Sequence, residues 1–288
     1  MTQIDVQEEN LAVNFDVQFW GVRSQIAAPG KDTIRYGGNT SCVEMRIGGQ
    51  RLIFDGGTGL RQLGNSLLGQ MPLEVHMFFT HCHWDRIQGF PFFVPAFIGI
   101  NHLHIYGASA SNGATFKQRL HEQMLGPNFP VPMQVMKSKM EFYDMATEKT
   151  YSLGEVKVEA KFLDPGHRSL GYRVNYQGKS VVYATGCQYV TACPNETLLA
   201  LTRGADLLIV DAPAPGGNCS NGARAKGIDG AWRQLSLTVT KEALVKRVVL
   251  SLYNPDDDDD LLDEVEKKLN SALPSVRLAR EGMVVSVV

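Results

Sequence analysis

Apolar and polar positions alternate with a two-residue period from Phe15 to Trp20, the pattern of a half-buried strand. Gly21 to Asn39 breaks the alternation with glycine and polar residues and reads as a loop. Cys42 to Ile47 and Arg51 to Phe54 read as two strands joined by the Gly48-Gly49 turn, the second running into Asp55-Gly56-Gly57-Thr58-Gly59. A helix follows over Leu60 to Leu68. Leu73 to Thr80 is a short apolar strand that ends at His81. The cluster His81-Cys82-His83-Trp84-Asp85-Arg86 therefore falls on a loop at a strand's C-terminal edge, where functional groups collect.

The pattern then predicts a strand over His102 to Tyr106 and a helix over Thr115 to Leu125. A second series of strands follows at Lys157 to Phe162, Gly171 to Tyr176, Ser180 to Ala184, Ala205 to Val210 and Arg247 to Leu252. Helices are expected over Leu235 to Val245 and Leu261 to Leu273, the latter entered from Pro255 and the solvent-facing aspartate run Asp256 to Asp260. Strands with helices interspersed twice over predict an α/β fold of two sheets packed face to face with helices outside, an αββα four-layer sandwich. Residues 1–12 form a polar leader, and residues 13–288 are expected to make one domain without repeat or linker.

Composition narrows the function classes. The 288 residues are 44% hydrophobic, enough for a sizeable core. The 28 basic and 30 acidic residues are mixed along the chain, for a net charge of −2, which gives no nucleic-acid signature and no anionic-membrane surface. Neither a basic-then-apolar start nor a run of membrane-spanning length is present, so a cytoplasmic location is expected. The cysteines at 42, 82, 187, 193 and 219 are odd in number and lack paired spacing, and read as free thiols.

His81-x-His83-x-Asp85 gathers two imidazoles and a carboxylate on one loop, a donor set suited to Zn²⁺ or another divalent ion; loop histidines bonded to nearby backbone are the plainer reading. His102 and His104 share one face of a strand and, with no third ligand near in sequence, read as sheet-surface residues. The apolar stretch Phe90 to Ile100 is a pocket wall, a dimer surface or core.

The segments Phe19 to Arg23, Arg35 to Cys42, Ile53 to Gly59 and Thr80 to Asp85 occur in the order seen in metallo-β-lactamase-fold hydrolases. The resemblance is closest to the branch with phosphodiesterase and phosphoribosyl cyclic phosphodiesterase members. It continues through Gln88 to Phe93, Ser169 to Arg173, Tyr183 to Thr185 and Asp206 to Asp211.

That resemblance implies a seven-ligand box for two metals, onto which His81, His83 and Asp85 map. The next ligand position is Arg86. The later histidine falls on Pro165, with His167 two residues on as a displaced candidate, and the bridging aspartate falls on Gly186. The final histidine falls on Leu252 or Tyr253. Residues 168–288 contain no histidine at all, so no re-registration restores that last ligand. A two-metal centre is not expected, because paired cations need a bridging anion and several donors to offset their repulsion.

The expected cofactor is none, or a single divalent metal, zinc foremost, on His81, His83, Asp85 and His167. Arg86 can pair with Asp85 and put permanent charge near the vacated second position. With Arg168 and the Asp55 to Gly59 loop it offers a site for a phosphate or carboxylate. The leading expectation is a pseudoenzyme that binds a small anionic ligand or a protein partner. The competing one is a mononuclear metal-dependent hydrolase of a phosphodiester or related ester, with Asp85 in the catalytic set. A homodimer rests on family habit alone.

Overall fold

The structure is a computed structural model and describes residues 15–145, 149–164, 168–186, 194–212 and 227–287. The leader lies outside the described residues. The first sheet takes β1 (Phe15–Gly21), β2 (Cys42–Ile47), β3 (Gln50–Phe54), β4 (Glu74–Phe78), β5 (His102–Gly107) and β6 (Lys139–Asp144). The second takes β7 (Lys149–Leu153), β8 (Val156–Asp164), β9 (Ser169–Tyr176), β10 (Lys179–Ala184), β11 (Leu207–Asp211), β12 (Val248–Ser251) and β13 (Val276–Leu278). The chain then returns to the first sheet through β14 (Val284–Ser286), which pairs antiparallel with β1. The spatial orders are β14-β1-β2-β3-β4-β5-β6 and β13-β12-β11-β10-β9-β8-β7.

Burial explains the assignments. β1 alternates buried and half-buried positions, as the sequence pattern requires of a strand with one face inward. β12 is buried at every position because the parallel strands β10 to β13 are covered on both faces. Gly48 and Gly49, at φ of 55° and 77°, make the tight β2–β3 turn. Phe54 and Phe78 of the first sheet meet Tyr172 and Tyr183 of the second, so the main core lies between the sheets. A second core packs the outer face of the first sheet against α1 (Gly59–Ser66) and the turns after α2 (Trp84–Ile87). In that layer Phe90, Phe93 and Ala96 are buried, which makes the Phe90 to Ile100 stretch largely core, while Phe92 and Ile100 are exposed. The αββα sandwich is thus the observed fold.

Four further helices complete the outer layers: α3 (Phe116–Glu122), α4 (Glu196–Thr202), α5 (Gly227–Glu242) and α6 (Asp259–Ala272). α5 begins well before the expected Leu235. β6, β7, β13, β14, α2 and α4 add to the elements read from the sequence. Asp258 caps α6 by accepting from Leu261 N–H, but Asp259 is buried and accepts from the amides of Arg35 and Tyr36, so the aspartate run also ties down the β1–β2 loop. No described helix is long and apolar enough to cross a membrane.

Candidate metal-type cleft

Five loops meet where β3, β4, β10, β11 and β12 end. At the close of β3 the chain turns through Asp55 at a φ of 58° and buries its carboxylate. That carboxylate accepts from Thr80 N–H (2.8 Å), Thr80 Oγ1 (2.9 Å), Tyr183 OH (2.9 Å) and Arg86 Nη1 (3.1 Å). Burial pushes its pKa up, while Arg86 and the hydrogen bonds pull it down.

The Gly-rich loop beyond it holds no anion nest. Asp55 N–H donates to Phe78 O, Gly56 to Arg86 O, Gly57 to Ser41 O, Thr58 to Thr40 Oγ1 and Gly59 to Thr40 O. Every amide a phosphate would need is taken by the protein itself. The glycines serve close backbone approach instead: a Cβ at Gly89 would stand 1.9 Å from Gly57 O.

α2 carries Asp85 and Arg86 into the cleft. The Arg86 guanidinium is buried and spans three carboxylates: Nη1 to Asp55 Oδ2 at 3.1 Å, Nε to Asp85 Oδ2 at 3.1 Å and Nη2 to Asp211 Oδ1 at 3.7 Å. Nη1 also donates to Thr185 Oγ1 at 3.0 Å. Burial works against the charged form, but Asp85, Asp55 and Asp211 outweigh it and hold the guanidinium more firmly charged than an ordinary arginine. Asp211 accepts from Gly186 N–H at 2.7 Å, and burial raises its carboxyl to about 6 against the pull of Arg86. Its Oδ1 is buried without a hydrogen bond.

His81, His83 and Asp85 bring one ligand atom each within 4.8 Å of one another. The Thr80 hydroxyl proton is engaged by Asp55, so Thr80 Oγ1 accepts from His81 Nδ1–H at 2.9 Å, and that tautomer puts the lone pair on Nε2. These three residues fit one divalent ion. Among the described residues these three form the one such group in the cleft. The position that maps to the bridging aspartate is Gly186, at a φ of +87°, and even a Cβ there would meet His81 Nδ1 at 2.5 Å. Leu252 is buried and apolar, and Tyr253 donates its hydroxyl to Leu250 O and Ala279 O. A cation is nevertheless present beside the three carboxylates, and it is the guanidinium of Arg86.

Of the residues named from sequence, His81, His83, Asp85 and Arg86 come together here. His167 lies outside the described residues. Arg168 points elsewhere: its Nε donates to Ser109 O and its guanidinium stacks on the Phe162 ring at 4.9 Å. Cys82 is half-buried, and burial lifts its thiol to about 12, so it is inert at neutral pH. Sequence reasoning did not give Asp55, Asp211, Tyr183 and Thr185 their place around Arg86. The one local signal was an acid at each of two strand ends, Asp55 after Phe54 and Asp211 after Val210.

A family model described as a beta-lactamase superfamily domain matches residues 37–216. Among solved structures, the metallo-beta-lactamase fold protein YhfI from Bacillus subtilis superposes with a TM-score of 0.66 at 16% identity, covering 95% of this chain and 99% of that one. Human tRNase Z, short form, gives 0.62 at 20% identity, with 95% and 99% covered. A diphosphatase of the PhnP family gives 0.61 at 14%, with 94% and 97% covered. Zn²⁺-bound PqqB from Methylobacterium extorquens gives 0.64 at 14%, with 94% and 99% covered. No curated protein matches this chain. With the family model spanning more than half its length and both sheets in place, the chain belongs to the beta-lactamase superfamily and has the metallo-β-lactamase fold.

Proposed function

We propose that this chain is a non-hydrolytic member of its family, a binding protein whose cleft carries at most one divalent ion and engages a protein partner. The observation that carries the reading is the Arg86 guanidinium set among Asp55, Asp85 and Asp211. A guanidinium supplies the positive charge that carboxylates need, but it has no vacant coordination position and cannot activate water as a metal does. It therefore stabilises the cleft without restoring the second half of a two-metal clamp.

A protein partner is favoured over a small anion because the groups that would hold an anion are engaged. Arg86 faces carboxylates, Arg168 donates to Ser109 O, and the Asp55 to Gly59 amides are bonded within the protein. At the rim, Gln25 N–H donates to Asp85 Oδ2, and the neighbours of that pair, Ile26 and Trp84, are both more than half exposed.

The second reading, a single-metal hydrolase, draws on the convergence of His81, His83 and Asp85, since three protein donors suffice for a catalytic zinc. A divalent ion bound there would supply Lewis acidity and charge to an anionic oxygen. Hydrolysis of bis(p-nitrophenyl) phosphate by protein loaded with Zn²⁺ or Mn²⁺, beside a His81→Ala control, separates the two. The expected result is no turnover above the control. A rate that His81→Ala abolishes overturns the non-hydrolytic reading and installs the single-metal one.

A further inference from the structure

β4 and β5 run parallel in a register that sets Glu74 beside His102 and His76 beside His104, and β6 continues it with Glu141 beside His104. With a two-residue side-chain period, all five residues stand on one face of the sheet. They lie at the end where β4 and β5 enter, opposite the His81 cleft, where β4 leaves. The sequence alone gave His102 and His104 no third ligand; the register supplies it.

Glu74 Oε1 is 2.9 Å from His104 Nε2 and 3.8 Å from His102 Nδ1, and the three donor atoms lie within 4.8 Å of one another. Those separations bracket the roughly 3.3 Å between donors in a tetrahedral ion with bonds of about 2.0–2.1 Å. The far side of each ring is also built. His102 Nε2 faces Glu141 Oε1 at 3.3 Å and is buried without a hydrogen bond, and His104 Nδ1 faces Tyr143 OH at 3.2 Å and Glu141 Oε2 at 3.6 Å. A carboxylate behind a metal-binding imidazole fixes its ring and tautomer and raises its basicity. Glu141 stands behind both rings, 3.3 Å from His102 and 3.6 Å from His104, held by Tyr143 OH at 2.6 Å and paired with Lys139 at 2.5 Å, close enough for a small shift on ion binding to bring it into hydrogen bonding. His76 stacks on His104 with ring centroids 4.5 Å apart and limits its rotation. Partial exposure of the Glu74 side chain, at 63%, leaves a route from solvent.

We infer that Glu74, His102 and His104 form a second, independent site for a borderline divalent ion such as Zn²⁺, backed by Glu141 and clasping β4 to β5 at their entry ends. Two nitrogens and one carboxylate oxygen select a transition ion over Ca²⁺ or Mg²⁺. The site does not depend on the reading of the cleft.

Titration of Co²⁺ into the full-length His81→Ala/His83→Ala variant, followed by visible absorbance, reads this site with the cleft donors removed. One saturable equivalent of Co²⁺ displaced by Zn²⁺ is expected, and Glu141→Gln, whose side chain would not contact the ion, should weaken it about 10–100-fold. Circular dichroism of each variant confirms that it is folded. Absence of a saturable band in the double variant overturns the inference. So does a band unchanged by adding His102→Ala and His104→Ala.

Discussion

Two arginines of this chain each gather acidic side chains, one in the interior and one at the surface. Arg86 meets Asp55, Asp85 and Asp211 in the interior, with its own side chain 5% exposed. Arg35 meets Asp260 at 2.5 Å and Asp263 at 2.9 Å on the surface, with its side chain 51% exposed. The distances at the surface are the shorter. Distance is nevertheless a poor guide to consequence, because water replaces either partner at the surface and cannot do so in the interior. The contrast shows why the interior cluster depends on its cation: carboxylates shut away from water have nothing else to offset their charge.

The most disruptive way to test that contrast is Arg86→Met, which strands Asp55 as a buried carboxylate without its cation. A loss of about 3–5 kcal/mol is expected, on the order of 10 °C in the unfolding midpoint. Recovery of part of it in Arg86→Met/Asp55→Asn would show that the stranded charge, rather than lost packing, is the cause.

A smaller effect is expected from Asp211. Its carboxyl, raised from 3.8 to about 6, binds a proton more tightly folded than unfolded. Its contribution is therefore complete below about pH 4 and disappears as pH rises through about 6. Asp211→Asn should remove that decline, so that the stability of the wild type relative to the variant falls by up to about 2–3 kcal/mol between pH 4 and 7. Denaturant melts across that range check it. Smallest of all, Arg35→Ala should leave the unfolding midpoint unchanged at physiological salt. A shift approaching that of Arg86→Met would erase the distinction between the two clusters.

How much of this was legible in the sequence follows from the range of the interactions involved. β1, β2 and β12 announced themselves because alternation, or a short run of apolar residues, is a local property. β13 and β14 have three residues each, too few to show a period, and exist because β12 and β1 offer them an edge. β7 has no buried position and is a strand only through its pairing with β8. α5 starts at Gly227 although Gly227 and Gly230 are poor helix formers, so the sequence placed its beginning too late.

In the cleft, the pair Asp85-Arg86 was readable as neighbours. The enclosure of Arg86 was not, because Asp55 and Asp211 arrive from different sheets. The engagement of the Asp55 to Gly59 amides was hidden for a related reason: they are claimed by Thr40, Ser41, Phe78 and Arg86, partners that only the fold brings near.

The pairing of β14 with β1 has a consequence for how the chain comes to be folded in a cell. β1 leaves the ribosome first among the described strands and β14 last, so until β14 arrives the first sheet carries an uncovered outer edge at β1. An open edge is a template for another strand, and nascent chains crowded on one message present many copies of it. Three residues, Val284 to Ser286, cover the β1 edge and leave in its place a strand too short to offer much of a template.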